Sequence, residues 1–241
     1  MKLELSNIQK EYETLEVLSD INFHLNQGEI ISILGASGCG KSTLLNIIAG
    51  FIKPTSGTVL KDGKDITGKI SETAYMLQDD LLLPYKTIFE NVILPITIKG
   101  LLTNEKKEEI LNLFKIFGLE GYENFYPREI SGGMKQRAAL LRTYLCGTDI
   151  YLFDEPFSKL DSITRDNMRV WFLEIWKTIH SSAIFITHDI DEAIILSDRI
   201  YIMSDKPARI VKEVLVSKDC KDISEENFGK LKMDILSYFR K

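Results

Sequence analysis

The chain has 241 residues, 44% of them hydrophobic, and a formal net charge of −5. That length suits one large domain or one domain with an inserted lobe, and the acidic balance gives no general pull towards nucleic acid. No run of about 18 apolar residues is present to span a bilayer, residues 1–5 lack a signal-peptide core, and three scattered cysteines, Cys39, Cys146 and Cys220, suggest neither a disulfide framework nor a metal centre. The expectation is a soluble cytoplasmic protein that acts at a membrane only through another chain.

Residues 3–8 and 21–25 alternate like strands, with Tyr12 on a Glu-rich connection between them. Ile30, Ile31, Ile33 and Leu34 form an apolar run that reads as a buried strand. It delivers Gly35-Ala36-Ser37-Gly38-Cys39-Gly40-Lys41-Ser42-Thr43, which satisfies the phosphate-cradling pattern G-x-x-x-x-G-K-[ST]. Leu44, Leu45, Ile47 and Ile48 follow at helical spacing, so strand, glycine loop and helix occur in the required order. Gly35, Gly38 and Gly40 are expected to take positive φ and let the backbone approach a ligand. The loop's N–H groups then face an anion at a helix N-terminus. Lys41 adds a full charge for the β- and γ-phosphates, and the Ser42 hydroxyl is placed to ligate Mg²⁺. Cys39, inside the loop, puts a thiol near any bound nucleotide.

Residues 54–57 form a turn cluster, and residues 58–60 with Asp62-Gly63 read as a hairpin tip. Residues 73–77 are a short strand ending in Gln78, Asp79 and Asp80. Lys86 or Thr87 opens a helix through Ile88, Val92 and Ile93, disturbed at Pro95. Thr103 or Asn104 caps the next, which buries Ile110, Leu113, Phe114 and Phe117 and stops at Gly118. Residues 85–147 thus read as an inserted helical subdomain. Ser131-Gly132-Gly133 precedes a helix with Ala138, Leu141 and Leu145 on one face. From the triplet alone it is either a second anion site or an ordinary serine cap.

Residues 150–153 form a buried-strand run ending in Asp154-Glu155-Pro156. Strand alternation would point the two carboxylates apart, one towards a metal and one towards a water. A solvated acidic turn is the plain alternative. Asp161 or Ser162 caps a long helix containing Val170, Leu173, Trp176 and Ile179, whose Trp and Phe residues are most simply core. Residues 183–187 are a strand ending in His188-Asp189. A lone histidine there, like His24 and His180, is by itself a structural residue. Residues 200–203 and 210–216 flank a turn at Lys206-Pro207. Phe228, Leu231, Ile235 and Phe239 mark an amphipathic C-terminal helix.

Taken in order, the loop at residues 35–43, Gln78, the stretch Ile130-Ser131-Gly132-Gly133-Met134-Lys135-Gln136-Arg137, Asp154-Glu155, Ser158-Lys159-Leu160-Asp161 and His188 resemble the ATP-binding subunit of an ATP-binding cassette (ABC) transporter. The likeness covers residues 3–204. Met134, and the loop Gln78-Asp79-Asp80-Leu81-Leu82-Leu83-Pro84, are closer to the nitrate, sulfonate and taurine importers' ATPases, with Tyr85 where those have Trp. Lys159 stands where the family has a small or amide residue, and Leu141-Arg142 where it has Ala-Arg.

The resemblance implies one α/β domain: a P-loop NTPase core, mostly a parallel sheet, from residues 1–84 and 148–205, with an N-terminal antiparallel layer. The helical subdomain is inserted at 85–147, and a hairpin and helix follow at 206–241. It implies that Tyr12 stacks on adenine, that residues 35–43 hold the triphosphate, and that Ser42, Gln78 and Asp154 serve Mg²⁺. Glu155 is then the general base, His188 contacts the γ-phosphate, and Ser131, Gly132 and Gly133 contact ATP on an opposing subunit. Two glycine-lined anion sites for one triphosphate point the same way, because a head-to-tail pair closes two sites at once. The implied partners are a second identical or homologous ATPase subunit, a transmembrane permease and, indirectly, an extracytoplasmic solute-binding protein, with no nucleic acid. The implied place is the cytoplasmic face of the membrane, as a peripheral subunit. The apolar run at Leu81, Leu82, Leu83 and Tyr85 is either core or the border of a groove for the permease. The rivals are a soluble ATP-dependent regulatory switch and a P-loop kinase. A single cassette with no coiled-coil insertion argues against the first, and Glu155 beside Asp154 against the second.

Overall fold

The structure, a computed structural model, describes every residue except 180, 222, 224, 225, 240 and 241, so His180 lies outside the described residues. In chain order its elements are β1 (Leu3–Tyr12), β2 (Leu15–Leu25), β3 (Ile30–Leu34), α1 (Lys41–Ile48), β4 (Ser56–Lys61), β5 (Lys64–Asp65), β6 (Ala74–Met76), α2 (Ile88–Val92), α3 (Leu94–Ile98), α4 (Asn104–Ile116), α5 (Gly132–Tyr144), β7 (Ile150–Asp154), α6 (Ser162–Ile179), β8 (Ser182–Thr187), α7 (Ile190–Leu196), β9 (Arg199–Met203), β10 (Ile210–Leu215) and α8 (Glu226–Ser237).

Two sheets form. One is antiparallel with strand order β2-β1-β4-β5; the other runs β10-β9-β3-β8-β7-β6. In the second, β9, β3, β8, β7 and β6 are parallel and β10 pairs antiparallel to β9. The parallel strands are apolar at nearly every position because both faces are covered. Ile31, Ile33, Ile150, Leu152, Ile184 and Ile186 point into a core shared with α1 and the antiparallel sheet. Tyr151, Phe153, Ala183 and Phe185 point the other way, into a core shared with α2, α4, α5 and α6. Phe153, Phe172, Trp176 and Phe185 make edge-on and offset contacts at its centre, with ring centroids 4.6–5.7 Å apart.

Several elements differ from the sequence expectations. β1 and β2 run on to Tyr12 and Leu15, which pair directly, so Tyr12 ends a strand instead of sitting on a loop. The turn is only two residues long, and Glu13 takes its left-handed position at φ 52°. On α6 the buried face is Met168, Arg169, Phe172, Ile175 and Trp176, and Val170 is exposed. Phe172 and Trp176 are core there, as the sequence suggests, with Trp171 packed partly buried beside them. Helix α7 lies where the sequence suggests no element, because seven residues are too few for their apolar spacing to single out a helix. Its cap is readable afterwards, since the Asp189 side chain accepts from the Glu192 N–H.

Asn91 joins the helical region to the segment before it. Fully buried, it accepts from the Leu83 N–H at 2.6 Å and donates to the carbonyls of Leu83, Lys86 and Thr87 at 2.9–3.1 Å. Asn91→Leu orphans these groups, so the variant is expected to lose about 1–3 kcal/mol in urea unfolding, with an unchanged denaturant slope.

Candidate functional site

Strand β3 ends against β8 and β9, and the chain must then turn sharply into α1. Gly40 makes the turn at φ 126°, pressed so close to β2 that a Cβ would lie 3.0 Å from side-chain atoms of both Val17 and Leu18. Gly38 also needs its positive φ of 77°. Gly35 differs from expectation: its φ is ordinary, and the reason for glycine is space. A Cβ there would meet Cys39 Sγ at 2.9 Å and Met203 Cβ at 3.2 Å.

Lys41, buried at the start of α1, donates from Nζ to the carbonyls of Gly35 at 2.8 Å and Ala36 at 2.9 Å. An ammonium has three N–H donors, so one remains for an anion in the cleft. That cleft, of about 700 Å³, is lined by Tyr12, Ser37, Gly38, Gly40, Lys41, Ser42, Thr43, Gln78 and Glu155, with Leu15, Val17 and Lys206. Its volume falls in the usual range for small-molecule sites. Tyr12 lies at the same cleft as the glycine loop, and Lys10 Nζ stands 4.7 Å from the centroid of its ring.

Asp154 ends β7 beside α1. Burial pushes its carboxyl up, opposed by hydrogen bonds from Ser42 and Tyr75, while nearby Glu155 raises it and Lys41 lowers it. The Tyr75 hydroxyl donates to Asp154 Oδ2 at 3.2 Å, and burial and this carboxylate push the phenol well up. A hydroxyl and a carboxylate side by side suit a hard cation. Among the described residues no cluster of three His, Cys, Asp or Glu side chains could hold a metal alone.

Glu155 does not continue the strand's alternation. The strand has ended, and Glu155 adopts φ 46°, a left-handed conformation that costs about 1–3 kcal/mol. Its N–H is held by the Ile186 carbonyl at 3.0 Å. The carboxylate Oε2 lies 3.0 Å from His188 Nδ1, at the end of β8. Gln78 Nε2 donates to Ser158 Oγ at 3.3 Å, and Lys159 pairs with Asp79. His188 meets the cleft through Glu155.

Ser131, Gly132 and Gly133 are not in this cleft. Ser131 caps α5, its Oγ accepting from the Met134 N–H at 3.3 Å. Ser131 and Gly133 line a separate cleft of about 360 Å³ with Arg137, Thr164 and Asn167. The apolar run splits: Leu82 is core at 8% exposure, while Leu81 and Tyr85 are exposed. Leu77, Leu81, Pro95 and Ile98 border a groove of about 340 Å³. Arg142, on α5, holds the Leu81 carbonyl at 2.8 Å and also bonds the Asp80 carbonyl. Lys206 and Tyr75 belong to no motif that would have singled them out for these contacts, and the Leu141-Arg142 pair gives no sign that Arg142 reaches Asp80 and Leu81.

Cys39 does not present its thiol to the cleft. It is 3% exposed, and burial pushes the thiol up, against the opposing pull of Lys41. A neutral, enclosed thiol is inert. Maleimide labelling of the folded protein at neutral pH is expected to modify Cys39 last of the three cysteines, at a rate that added ATP does not change. Mass spectrometry of the digested protein reads this directly.

The family model described as ABC transporter matches residues 18–158. The aliphatic sulfonates import ATP-binding protein SsuB of Bacillus cereus is 39% identical over 233 residues, covering 96% of this chain and 92% of that protein. The taurine import ATP-binding protein TauB of Pelagibacter ubique is 43% identical over 204 residues, covering 83% and 76%. The nitrate import ATP-binding protein NrtD of a Synechocystis strain is 36% identical over 221 residues, covering 90% and 83%. Among solved structures, a dimeric ATP-binding cassette in a post-hydrolysis state bound to ADP and Pi matches with TM-score 0.76 at 30% identity, covering 89% of this chain and 99% of that one. With the cleft and fold described, this chain belongs to the ABC transporter family as one of its ATP-binding subunits, an ATPase of the nitrate, sulfonate and taurine group.

Proposed function

We propose that the protein is the ATP-hydrolysing subunit of an importer for a small anion such as a sulfonate, taurine or nitrate, working as a head-to-tail pair of ATPase subunits on a transmembrane permease. The names of the similar proteins support the solute class. The pairing rests on one observation above all: two glycine-lined clefts, one at Lys41 and one at Ser131, are separate within a single chain. An opposed second copy, or a homologous subunit, brings each Ser131 loop over the other's nucleotide. An extracytoplasmic solute-binding protein would deliver the anion to the permease. No helix among the described residues is long and apolar enough to cross a membrane, so the permease supplies the membrane attachment, at the cytoplasmic face.

In this reading Tyr12 stacks on adenine, and the loop of residues 35–43 holds the triphosphate. Lys41 gives its remaining donor to the β- and γ-phosphates. Ser42 and Asp154, with Gln78 nearby, would hold Mg²⁺, which when bound would offset the charge of the phosphate oxygens. Glu155 takes the proton of the attacking water, and His188 steadies Glu155 and faces the γ-phosphate. Catalysis is then positioning and charge neutralisation.

Glu155→Gln keeps the shape and removes the base. Hydrolysis is expected to fall by roughly 10²–10⁴, with ATP still bound and a nucleotide-trapped dimer accumulating on gel filtration. Normal turnover would remove Glu155 from its role. The groove bordered by Leu81 and Ile98 is the proposed seat of a cytoplasmic permease helix, since exposed apolar patches of this kind mark partners. Ile98, 83% exposed, can be changed without touching the core. Leu81→Ser with Ile98→Ser is expected to weaken co-purification with the permease and abolish uptake while the isolated subunit hydrolyses ATP at its usual rate.

A further inference from the structure

Helix α6 carries two arginines one turn apart that no part of the nucleotide chemistry uses. Arg165 donates from Nη2 to the Leu160 carbonyl at 2.8 Å and the Ser158 carbonyl at 3.4 Å, and from Nε to the Phe157 carbonyl at 3.3 Å. One guanidinium thus gathers three carbonyls of the segment that follows Glu155. Its Nη1 also lies 3.9 Å from Asp189 Oδ2. Arg169 donates to the same Asp189 oxygen at 2.6 Å, and its Nε is 3.7 Å from Glu192 Oε1. Arg169 and Glu192 are 5% and 3% exposed.

Asp189 is fixed from every side. Its other oxygen accepts from the Glu192 N–H at 3.1 Å, and its own N–H donates to Thr187 Oγ1 at 3.0 Å. Between these two anchored residues stands His188. Its ring is half-exposed, and Glu155 is its one hydrogen-bond partner among the described residues. A buried charge cluster gives little net stability over well-packed apolar side chains. What it does supply is direction: the flanks of His188 can sit in one place only.

We propose that Asp189, gripped by Arg165 and Arg169, is a positioning residue that sets where His188 stands against Glu155 and ties that placement to the segment 157–160. A shift of that segment pulls Arg165, Arg165 pulls Asp189, and His188 moves on Glu155. The catalytic consequence rests on the proposed roles of Glu155 and His188; the mechanical link does not.

Asp189→Asn tests it. Asparagine caps a helix as well as aspartate does, so α7 keeps its cap, while the charge that both arginines hold is gone. The chain has three histidines, so ¹⁵N-histidine spectra of the full-length protein, assigned with His188→Ala, report the His188 tautomer directly. In the parent protein one tautomer is expected, with the proton on Nδ1 facing Glu155. In Asp189→Asn the signal shifts towards the mixture of a free imidazole, kcat falls roughly 10–100-fold as expected for a misplaced catalytic group, and KM for ATP stays within about twofold. Arg165→Gln, on a partly exposed side chain, changes both readouts in the same direction by less, and carries the test if Asp189→Asn does not fold. An unchanged His188 signal in the folded variants overturns the proposal, whatever happens to turnover. Normal hydrolysis by Glu155→Gln would instead strike the base assignment and leave the His188 readout to decide the link.

Discussion

Everything at the site depends on the turn from β3 into α1. The chain makes this turn within residues 35–40, and its neighbours crowd it at Gly35 and Gly40. Gly40 is packed against Val17 and Leu18 of β2, and Gly35 against Cys39 and Met203 at the end of β9. The loop is clamped between the antiparallel sheet and the edge of the parallel one. That clamp explains why Lys41 can be buried: two loop carbonyls take two of its donors, and the third is left for a phosphate. It also explains why the thiol of Cys39 is structural. The residue faces back into the core that holds the loop.

Local signals were the legible ones. The loop, the Asp154-Glu155 pair, the Thr87, Thr103 and Ser131 caps, and the buried strands each announce themselves within a few residues, because one backbone geometry or one covered face dictates them. The reach of β1 and β2 to Tyr12 and Leu15 was not legible, since their outer ends alternate weakly and pair through several register shifts. Nor were the place of Lys206 at the cleft or the contacts of Tyr75 with Asp154 and of Arg165 with Asp189, residues far apart in the chain. Arg169 and Glu192 could have been noticed as charges in apolar stretches, but nothing local says that they meet.

The acidic pair shows how position and strain divide two identical chemistries. Asp154 is still in the sheet, buried, and bonded by Ser42 and Tyr75. Glu155 is one residue on, already turned out of the sheet at positive φ. Two carboxylates pointing into one pocket would repel and share a proton. The left-handed turn sends the second towards His188 instead, where a ring N–H can meet it. The strain at Glu155 therefore has a use, and the bond from its N–H to Ile186 on β8 holds it there.

The contacts leading out of the cleft form a continuous chain. Gln78 bonds Ser158, Asp79 pairs with Lys159, the carbonyls of Asp80 and Leu81 are held by Arg142 on α5, and Leu83 is held by Asn91 on α2. From the cleft to the exposed groove, nearly every successive residue is tied to a different body: first the segment after Glu155, then the helical region. Surface ion pairs such as Lys159 with Asp79 contribute little by themselves. A segment whose backbone is bonded on both sides nevertheless cannot move independently of either. Under the proposed function, this is how a change at the γ-phosphate would reach a permease helix in the groove. Leu81, at φ 46°, is the point where the chain bends between the two attachments, and its side chain is the part of the link that faces outwards.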